Sequence, residues 1–491
     1  MTAGIQPVSQ YVSDPEGEFS ACLGDEHVHT GAAARHVYSR DRLPRATFRL
    51  RSGHLPYGLA AGVLCPGSHE DVVACIRVAR RAGVALVPVG AGSGVLGGAI
   101  PLRNEWMLDL KRLNQVIGIN TEDLTVTVQA GMNGGQFERY LTERGLTCGH
   151  YPQSIHMSTV GGWAACRGAG QSSSRYGKIE DMVLGLRAVL PDGTTLEVRP
   201  VPRRAVGPSL KDVLIGSEGT LGVITEVTMR ILRLPEHESP LVLAFPSLAA
   251  ALAGVREVMQ AEIRPSVVRL YDEEESRQRT DGLAEFKTRP LLCLMQFSGA
   301  KRLVEAERSL ALELATAQDG VQASDTPLLR WKESRFQSYS PPWQARGYFM
   351  DTVEVTLPWS AISAAYQQMR EAVLAIHPQV YFGAHWSHVY PEGACQYMTV
   401  RLPPGPDDAQ LALHEKAWDV LEQLCIAHSG SISHHHGVGV FRGRWMAQEH
   451  GVGLELLQAL KDHLDPGALL NPGKLGLRCA GNAETSVGTP S

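Results

Sequence analysis

No apolar run in this 491-residue chain approaches the roughly 20 residues that a membrane-spanning helix needs. The longest, such as Leu241 to Phe245 and Leu291 to Phe297, stop well short, so no transmembrane segment is expected. Blocks of one charge are also missing. Charged residues make up 20% of the chain and the net charge is -5, a balance that gives nucleic acid no basic surface to bind. The nine cysteines (22, 65, 75, 148, 166, 293, 395, 425 and 479) never form a Cys-x-x-Cys pair. That spacing disfavours a zinc-thiolate site and suits buried, reduced thiols. Met1 to Gly17 is polar, with Asp14 and Glu16 where a secretory signal would carry an apolar run, so a cytoplasmic location is expected.

What the chain does have is length enough for two or three cores. Between Tyr57 and Leu234 short β-type runs alternate with helical ones: Ala60 to Leu64, a helix from Ser68 to Arg81, then strands at Ala85 to Val89, Trp106 to Leu110 and Leu124 to Gln129. A helix at Gly134 to Arg144 and a hairpin of Met182 to Leu190 with Thr195 to Val198, turning at Pro191-Asp192-Gly193, complete an α+β domain. From Glu236 the pattern becomes apolar strands (Leu241 to Phe245, Leu291 to Phe297, Tyr348 to Leu357, Cys395 to Arg401), each followed by a long amphipathic helix, which predicts an antiparallel-sheet domain with helices. The expected division is an N-terminal segment 1–56, a first domain 57–235, a cap 236–455, a segment 456–478 returning to the first domain, and a mobile tail 479–491.

Three loops carry the first chemical signal. Val89-Gly90-Ala91-Gly92-Ser93-Gly94-Val95-Leu96-Gly97-Gly98 puts five glycines directly after a strand, where bare amides can cradle a pyrophosphate. Gly92, Gly94 and Gly97 spell GxGxxG, yet Pro101 follows within four residues and a strand soon after, so the helix that a dinucleotide fingerprint must open is absent. A glycine-rich turn alone is often only a tight turn. Here a second segment, PQSIHMSTVGG from Pro152 to Gly162, and a third, GSEGTLGVIT from Gly216 to Thr225, add small and hydroxyl residues that suit one extended dinucleotide.

These segments resemble the vanillyl-alcohol-oxidase-type flavoproteins, which share the PCMH-type FAD-binding fold; GSEGTLGVITE at 216–226 is close to that family's signature. The resemblance implies FAD contacts at Val89, Gly90, Ala91, Gly92, Ser93, Gly94 and Val95, at Pro152 to Ser158, and at Thr159, Val160, Gly161, Gly162 and Arg167. It extends them to Glu218, Gly219, Thr220, Leu221, Gly222, Val223 and Ile224. Many relatives attach FAD through a histidine in the first loop. This loop has none, and non-covalent FAD is expected. Over residues 55–475 the chain is most similar to alkyldihydroxyacetonephosphate synthases, through STVGGW at 158–163, SSSRYGKIEDMV at 172–183, VVRLYD at 267–272, DTVEVTLPW at 351–359, GACQY at 393–397 and SHHHGVG at 433–439. By that resemblance Tyr397 matches the catalytic tyrosine, Arg269 the substrate-anchoring arginine, and His434, His435 and His436 the active-site histidines.

Those residue types make sense on their own. A carbon that gives up electrons to a flavin needs a proton acceptor beside it, which tyrosine or histidine can be. An arginine is the natural fork for a phosphate or carboxylate, holding the reacting carbon against flavin N5. The implied substrate is a small molecule, lipid-like and anionic; a homodimer is the implied assembly. The synthase chemistry exchanges an acyl group for a fatty alcohol with no net redox change.

Plainer readings stand beside these. Tyr397 suits a core position in its strand, and Arg269 could pair with Asp272 or Glu273. The histidines, with His385 and His388 of GAHWSHVY, could bind a metal; but consecutive residues on an extended segment point to alternate sides, so at most two of the three share an ion. No resident metal is expected. Trp331, Arg335 and Phe336 form one helix face, read as packing. LLNPGKL at 469–475 resembles the ending of D-lactate and glycolate dehydrogenases, so an FAD-dependent dehydrogenase or oxidase of a D-2-hydroxy acid or other alcohol is the alternative. A non-catalytic flavin-binding subunit would lack a titratable cluster in the cap.

Overall fold

The computed structural model describes residues 14–51, 53, 57–337 and 341–479. The polar stretch read at 1–13 and the tail from 480 onward lie outside these residues. Among them no helix is long and apolar enough to cross a membrane.

The first half holds two sheets. Strands β1 (Val28–His29), β2 (Val63–Leu64), β3 (Leu86–Val89) and β4 (Trp106–Asp109) form one, in the order β1-β2-β4-β3, with β2 and β3 parallel to β4. Strands β5 (Val116–Asn120), β6 (Thr125–Gln129), β8 (Val183–Val189), β9 (Thr195–Val198) and β10 (Val223–Arg230) form an antiparallel sheet in the order β5-β6-β10-β8-β9. β7 (Leu146–Thr147) and β11 (Leu232–Arg233) make a separate antiparallel pair. The helix expected from Ser68 runs His69–Ala82: Ser68 Oγ accepts the Asp71 N–H while Asp71 returns a bond to the Ser68 N–H, a reciprocal cap. The N-terminal residues are built into this half, since Pro15–Leu23 packs on His69–Ala82 and β1 adds to the first sheet.

Seven strands form the cap sheet: β12 (His237–Phe245), β13 (Val267–Tyr271), β14 (Leu291–Gly299), β15 (Val321–Gln322), β16 (Phe349–Pro358), β17 (Tyr381–Val389) and β18 (Gly393–Leu402). Their order is β15-β12-β14-β13-β17-β18-β16, antiparallel throughout. The four strands read from the sequence are present, and each is followed by a helix (Leu248–Gln260, Lys301–Thr316, Trp359–Leu374, Asp407–Ala427). β13 and β17 were not read as strands. Period-2 alternation sorts the side chains. Val268, Leu270, Val355, Ala384, Trp386, Ala394, Met398 and Val400 enter the large core under the helices. Their neighbours Arg269, Glu354, His385 and Tyr397 therefore share the opposite face. The segment 469–474 returns to the first half: Leu470 bridges Leu86, Asn471 Nδ2 donates to the carbonyls of Gly98 and Glu218, and Lys474 Nζ donates to that of Ile100.

Candidate active site

The first glycine loop leaves β3 and crosses to β4 without a helix, so its GxGxxG spelling has no dinucleotide-fold context. A Cβ on Gly90 would lie 2.2 Å from Thr159 Oγ1, so the first and second loops meet at a point only glycine can occupy. Gly92 has φ 62°, in the left-handed region. Among the described residues the main-chain N–H groups of Ala91 to Val95 have no acceptor, and Ser217 Oγ in the third loop and both ring nitrogens of His150, just before the second, are buried without partners. Free amides in one loop and unpaired buried polar atoms at the other two are groups that an extended, anionic dinucleotide can satisfy. The residues fit FAD. Thr159 caps the short helix Val160–Ala165, and Gly219, at φ 74°, packs on Pro88. Arg167 pairs with Glu180, and the Glu218 carboxylate turns to the cap, accepting the N–H groups of Val438 and Gly439 at 2.6 and 2.8 Å.

Those two residues follow the histidines after Gly437, which places the cap cluster against the loops. Tyr397 stands opposite Glu354 on β16 and His385 on β17. Its hydroxyl donates to Thr352 Oγ1 at 3.0 Å, and its ring stacks on His385 with centroids 4.9 Å apart. The rings of His436 and His435 lie 5.5 and 6.1 Å from it. Tyr397 is thus a polar member of the cluster rather than core filling. Arg269 donates through Nε to Tyr271 Oη (2.9 Å) and through Nη2 to His385 Nε2 (2.8 Å), and lies 5.5 Å from the Trp331 ring. Neither Asp272 nor Glu273 takes it: Asp272 caps the following helix and binds Tyr366 and the Ala384 N–H. Because arginine only donates, His385 Nε2 is the acceptor and Nδ1 carries the hydrogen; that Nδ1 is buried and unpartnered.

His388 joins this face through a β-bulge. The register slips between Ser387 and Val389, and His388 takes φ 52°, so both Ser387 and His388 escape the helix-side core. Its Nδ1 lies 2.7 Å from Ser173 Oγ; Ser173 accepts from Tyr390, whose hydroxyl meets His434 Nε2 at 3.0 Å; and His434 and His435 share a hydrogen between Nδ1 atoms 2.9 Å apart. Ligand-type atoms of His388, His434 and His435 lie within 4.8 Å of one another, as do those of Glu354, Cys395 and His435. Alternation does not govern this segment, which is not a strand: the two histidines that converge, His434 and His435, are neighbours in sequence, and the third imidazole comes from β17. His385 goes instead to Tyr397 and Arg269.

Burial sets the protonation. It holds the imidazoles of His385, His434, His435 and His436 below their ordinary value and brings His388 down to about 3, with nearby cations and imidazoles adding to the effect at most of them. The cluster is neutral at pH 7. Burial raises the Tyr397 phenol, which keeps its proton.

The sequence reading missed Glu354, Arg442, Ser173, Tyr390 and His150; Trp331 packs in a buried cluster as read and also lies under Arg269. SSSRYGKIEDMV held Ser173, but nothing local marks a serine as a histidine's partner.

The class that this architecture defines is a flavoprotein with an antiparallel-sheet cap. Residues 60–199 match the FAD binding domain family, and residues 234–475 match the C-terminal domain of FAD linked oxidases. The chain belongs to the FAD-linked oxidase family, of PCMH type, and its cofactor is FAD. It is 28% identical to an alkyldihydroxyacetonephosphate synthase of Dictyostelium discoideum over 96% of this chain and 82% of that one. It is 32% identical to the FAD-linked oxidoreductase YgcU of Escherichia coli over 85% and 89%. It is 27% identical to a probable mitochondrial D-lactate dehydrogenase of Danio rerio over 93% and 90%. A solved alkyldihydroxyacetonephosphate synthase superposes with TM-score 0.79 at 24% identity, over 96% of this chain and 86% of that one; at this identity it shows the fold.

Proposed function

We propose that this enzyme acts in the manner of an alkyldihydroxyacetonephosphate synthase, on an acylated or phosphorylated ketone whose anionic group is held by Arg269. One observation carries the reading. Arg269, His385 and Tyr397, from three adjacent strands, share one sheet face with the neutral histidines of 434–436, whose flanking loop is bonded to Glu218 of the flavin-binding half. FAD, held without a covalent link by the three glycine loops, supplies a two-electron acceptor. Arg269 binds the substrate anion and, by fixing the His385 tautomer, aims its Nδ1–H at the substrate oxygen. Tyr397, protonated, is a second donor to that oxygen. His435 or His436, neutral, accepts the proton released at the reacting carbon.

A dehydrogenase of a D-2-hydroxy acid is the second reading. It is favoured by Asn471 to Lys474, bonded into the first half as described, and by the D-lactate dehydrogenase relative. Both place an anion on Arg269. An absorption spectrum before and after acid precipitation, then anaerobic additions, separates them. Acid-released flavin is expected, with bleaching by palmitoyl-dihydroxyacetone phosphate that a fatty alcohol reverses. Bleaching by D-lactate or D-2-hydroxyglutarate instead would replace the synthase reading with the dehydrogenase.

A further inference from the structure

Segment 433–437, which carries the histidines, belongs to no strand or helix, so its amides have no ladder to join. Yet they are bonded. Glu354, fully buried on β16, reaches up under the segment: Oε2 accepts the His434 N–H at 2.5 Å, and Oε1 accepts the His436 N–H at 3.0 Å and the Ser433 hydroxyl at 3.1 Å. One carboxylate thus collects amides two residues apart, turning the backbone around a single anion. Arg442, itself fully buried, holds the carboxylate from below: Nη1 donates to Glu354 Oε1 at 2.8 Å, Nη2 to the Glu354 carbonyl at 2.6 Å, and Nε to Glu422 Oε1 at 2.8 Å. The same carboxylate lies 3.7 Å from His436 Nδ1 and 3.9 Å from His435 Nδ1.

We propose that Glu354 is the positioning residue of this site, setting the orientation of His434 to His436 through their backbone and supplying the negative charge that steadies an imidazole when it takes a proton. This rests on the reading of those histidines as catalytic. Burial alone would raise the Glu354 carboxyl; Arg442, by its charge and its hydrogen bond, outweighs burial and holds it at about 2, so the charge is present throughout the working range. Glu422 differs. It touches the same Arg442 from the far side, its Oε2 has no partner, and burial pushes it up to about 7. It shares the ion-pair network and has no bond to the histidine segment.

That contrast makes the test. Three variants of the FAD-loaded enzyme would be compared: Glu354→Gln, whose amide sets a donor against one backbone N–H and removes the charge; Glu354→Asp, which keeps the charge; and Glu422→Gln as the network control. The readouts are flavin content, thermal unfolding, flavin midpoint potential, kcat and KM on the compound that bleaches the wild type, and a crystal structure. Glu354→Gln is expected to keep its flavin, shift the midpoint potential positive, lower kcat about 100-fold with KM nearly constant, and show His434 to His436 displaced. Glu354→Asp should recover part of the loss, and Glu422→Gln should leave potential and kcat near wild type. Equal losses in Glu354→Gln and Glu422→Gln at unchanged potential would overturn the proposal and leave Glu354 a structural ion-pair member. Should Glu354→Gln not fold, Glu354→Asp decides: reduced kcat at constant KM supports the role and wild-type kcat refutes it. If the wild type turns over none of the named compounds, the function reading falls, while potential and histidine positions still judge Glu354.

Discussion

Glu218 and Gly439 are joined by a 2.8 Å hydrogen bond from the Gly439 N–H to the Glu218 carboxylate, which ties the third glycine loop to the turn after the histidines. Gly439 has φ 55°, and a Cβ there would sit 2.1 Å from the Leu96 carbonyl oxygen in the first glycine loop. One residue thus touches both loops. Gly439→Ala is expected to destabilise the protein by about 1–3 kcal/mol and to weaken FAD retention, read by thermal unfolding and flavin titration.

Gly90→Ala should act more locally. Its Cβ would meet Thr159 Oγ1 at 2.2 Å and drive apart the two loops that hold the cofactor. The purified variant should be folded by circular dichroism and contain little flavin; a full complement would show that the loops do not close on FAD here.

Tyr397→Phe removes the hydroxyl bonded to Thr352 and leaves the ring on His385. A kcat lower by about 10²–10⁴ with unchanged flavin content is expected. Wild-type turnover would return Tyr397 to a packing role.

Arg269→Lys keeps the charge but cannot reach Tyr271 and His385 together as the guanidinium does. KM for the anionic substrate should rise about tenfold or more, with the His385 tautomer no longer fixed. Steady-state kinetics on the bleaching compound checks this.

Stability should fall with acid in a stated window. Burial brings His150 and His388 down to about 3, while in the unfolded chain they titrate near 6.5. Below pH 6.5 the unfolded state therefore binds protons that the native state refuses, and stability drops as pH falls toward 3. Glu422, raised to about 7, and Asp41 and Asp272, raised to about 6, work the other way as pH falls toward 4, but burial also holds His385, His434 and His435 well below their ordinary value, so the protons refused by the native histidines outnumber those taken by the carboxyls. The melting temperature is expected to decline from pH 6.5 to pH 4, and His150→Phe, which loses no hydrogen bond among the described residues, should flatten that decline.

The glycine loops and the helix cap were legible because their chemistry is local. A glycine that must approach another segment of the chain, or a serine that caps a helix, shows itself in a few adjacent residues, and Cys395 to Arg401 showed itself as a strand by its apolar β-type run. β13 and β17 escaped because VVRLY and YFGAHWSHV place arginine and histidines among apolar residues, so neither reads as a core strand. Glu354 escaped for another reason. DTVEVTLPW alternates as a half-buried strand, and its glutamate reads as the solvent face until a loop some 80 residues later is laid over it.

By itself the sequence determined which residues alternate on each strand, where the helices begin, and which turns only glycine can make, since these depend on neighbours within a turn or two of chain. Tertiary structure decided the rest. The bulge that turns His388 inward, the tautomer that Arg269 imposes on His385, and the Glu354 carboxylate under His434 to His436 all join groups from separate elements. Hydrogen bonds and burial act through space, so their partners exist only once the sheet has folded and the two halves have met.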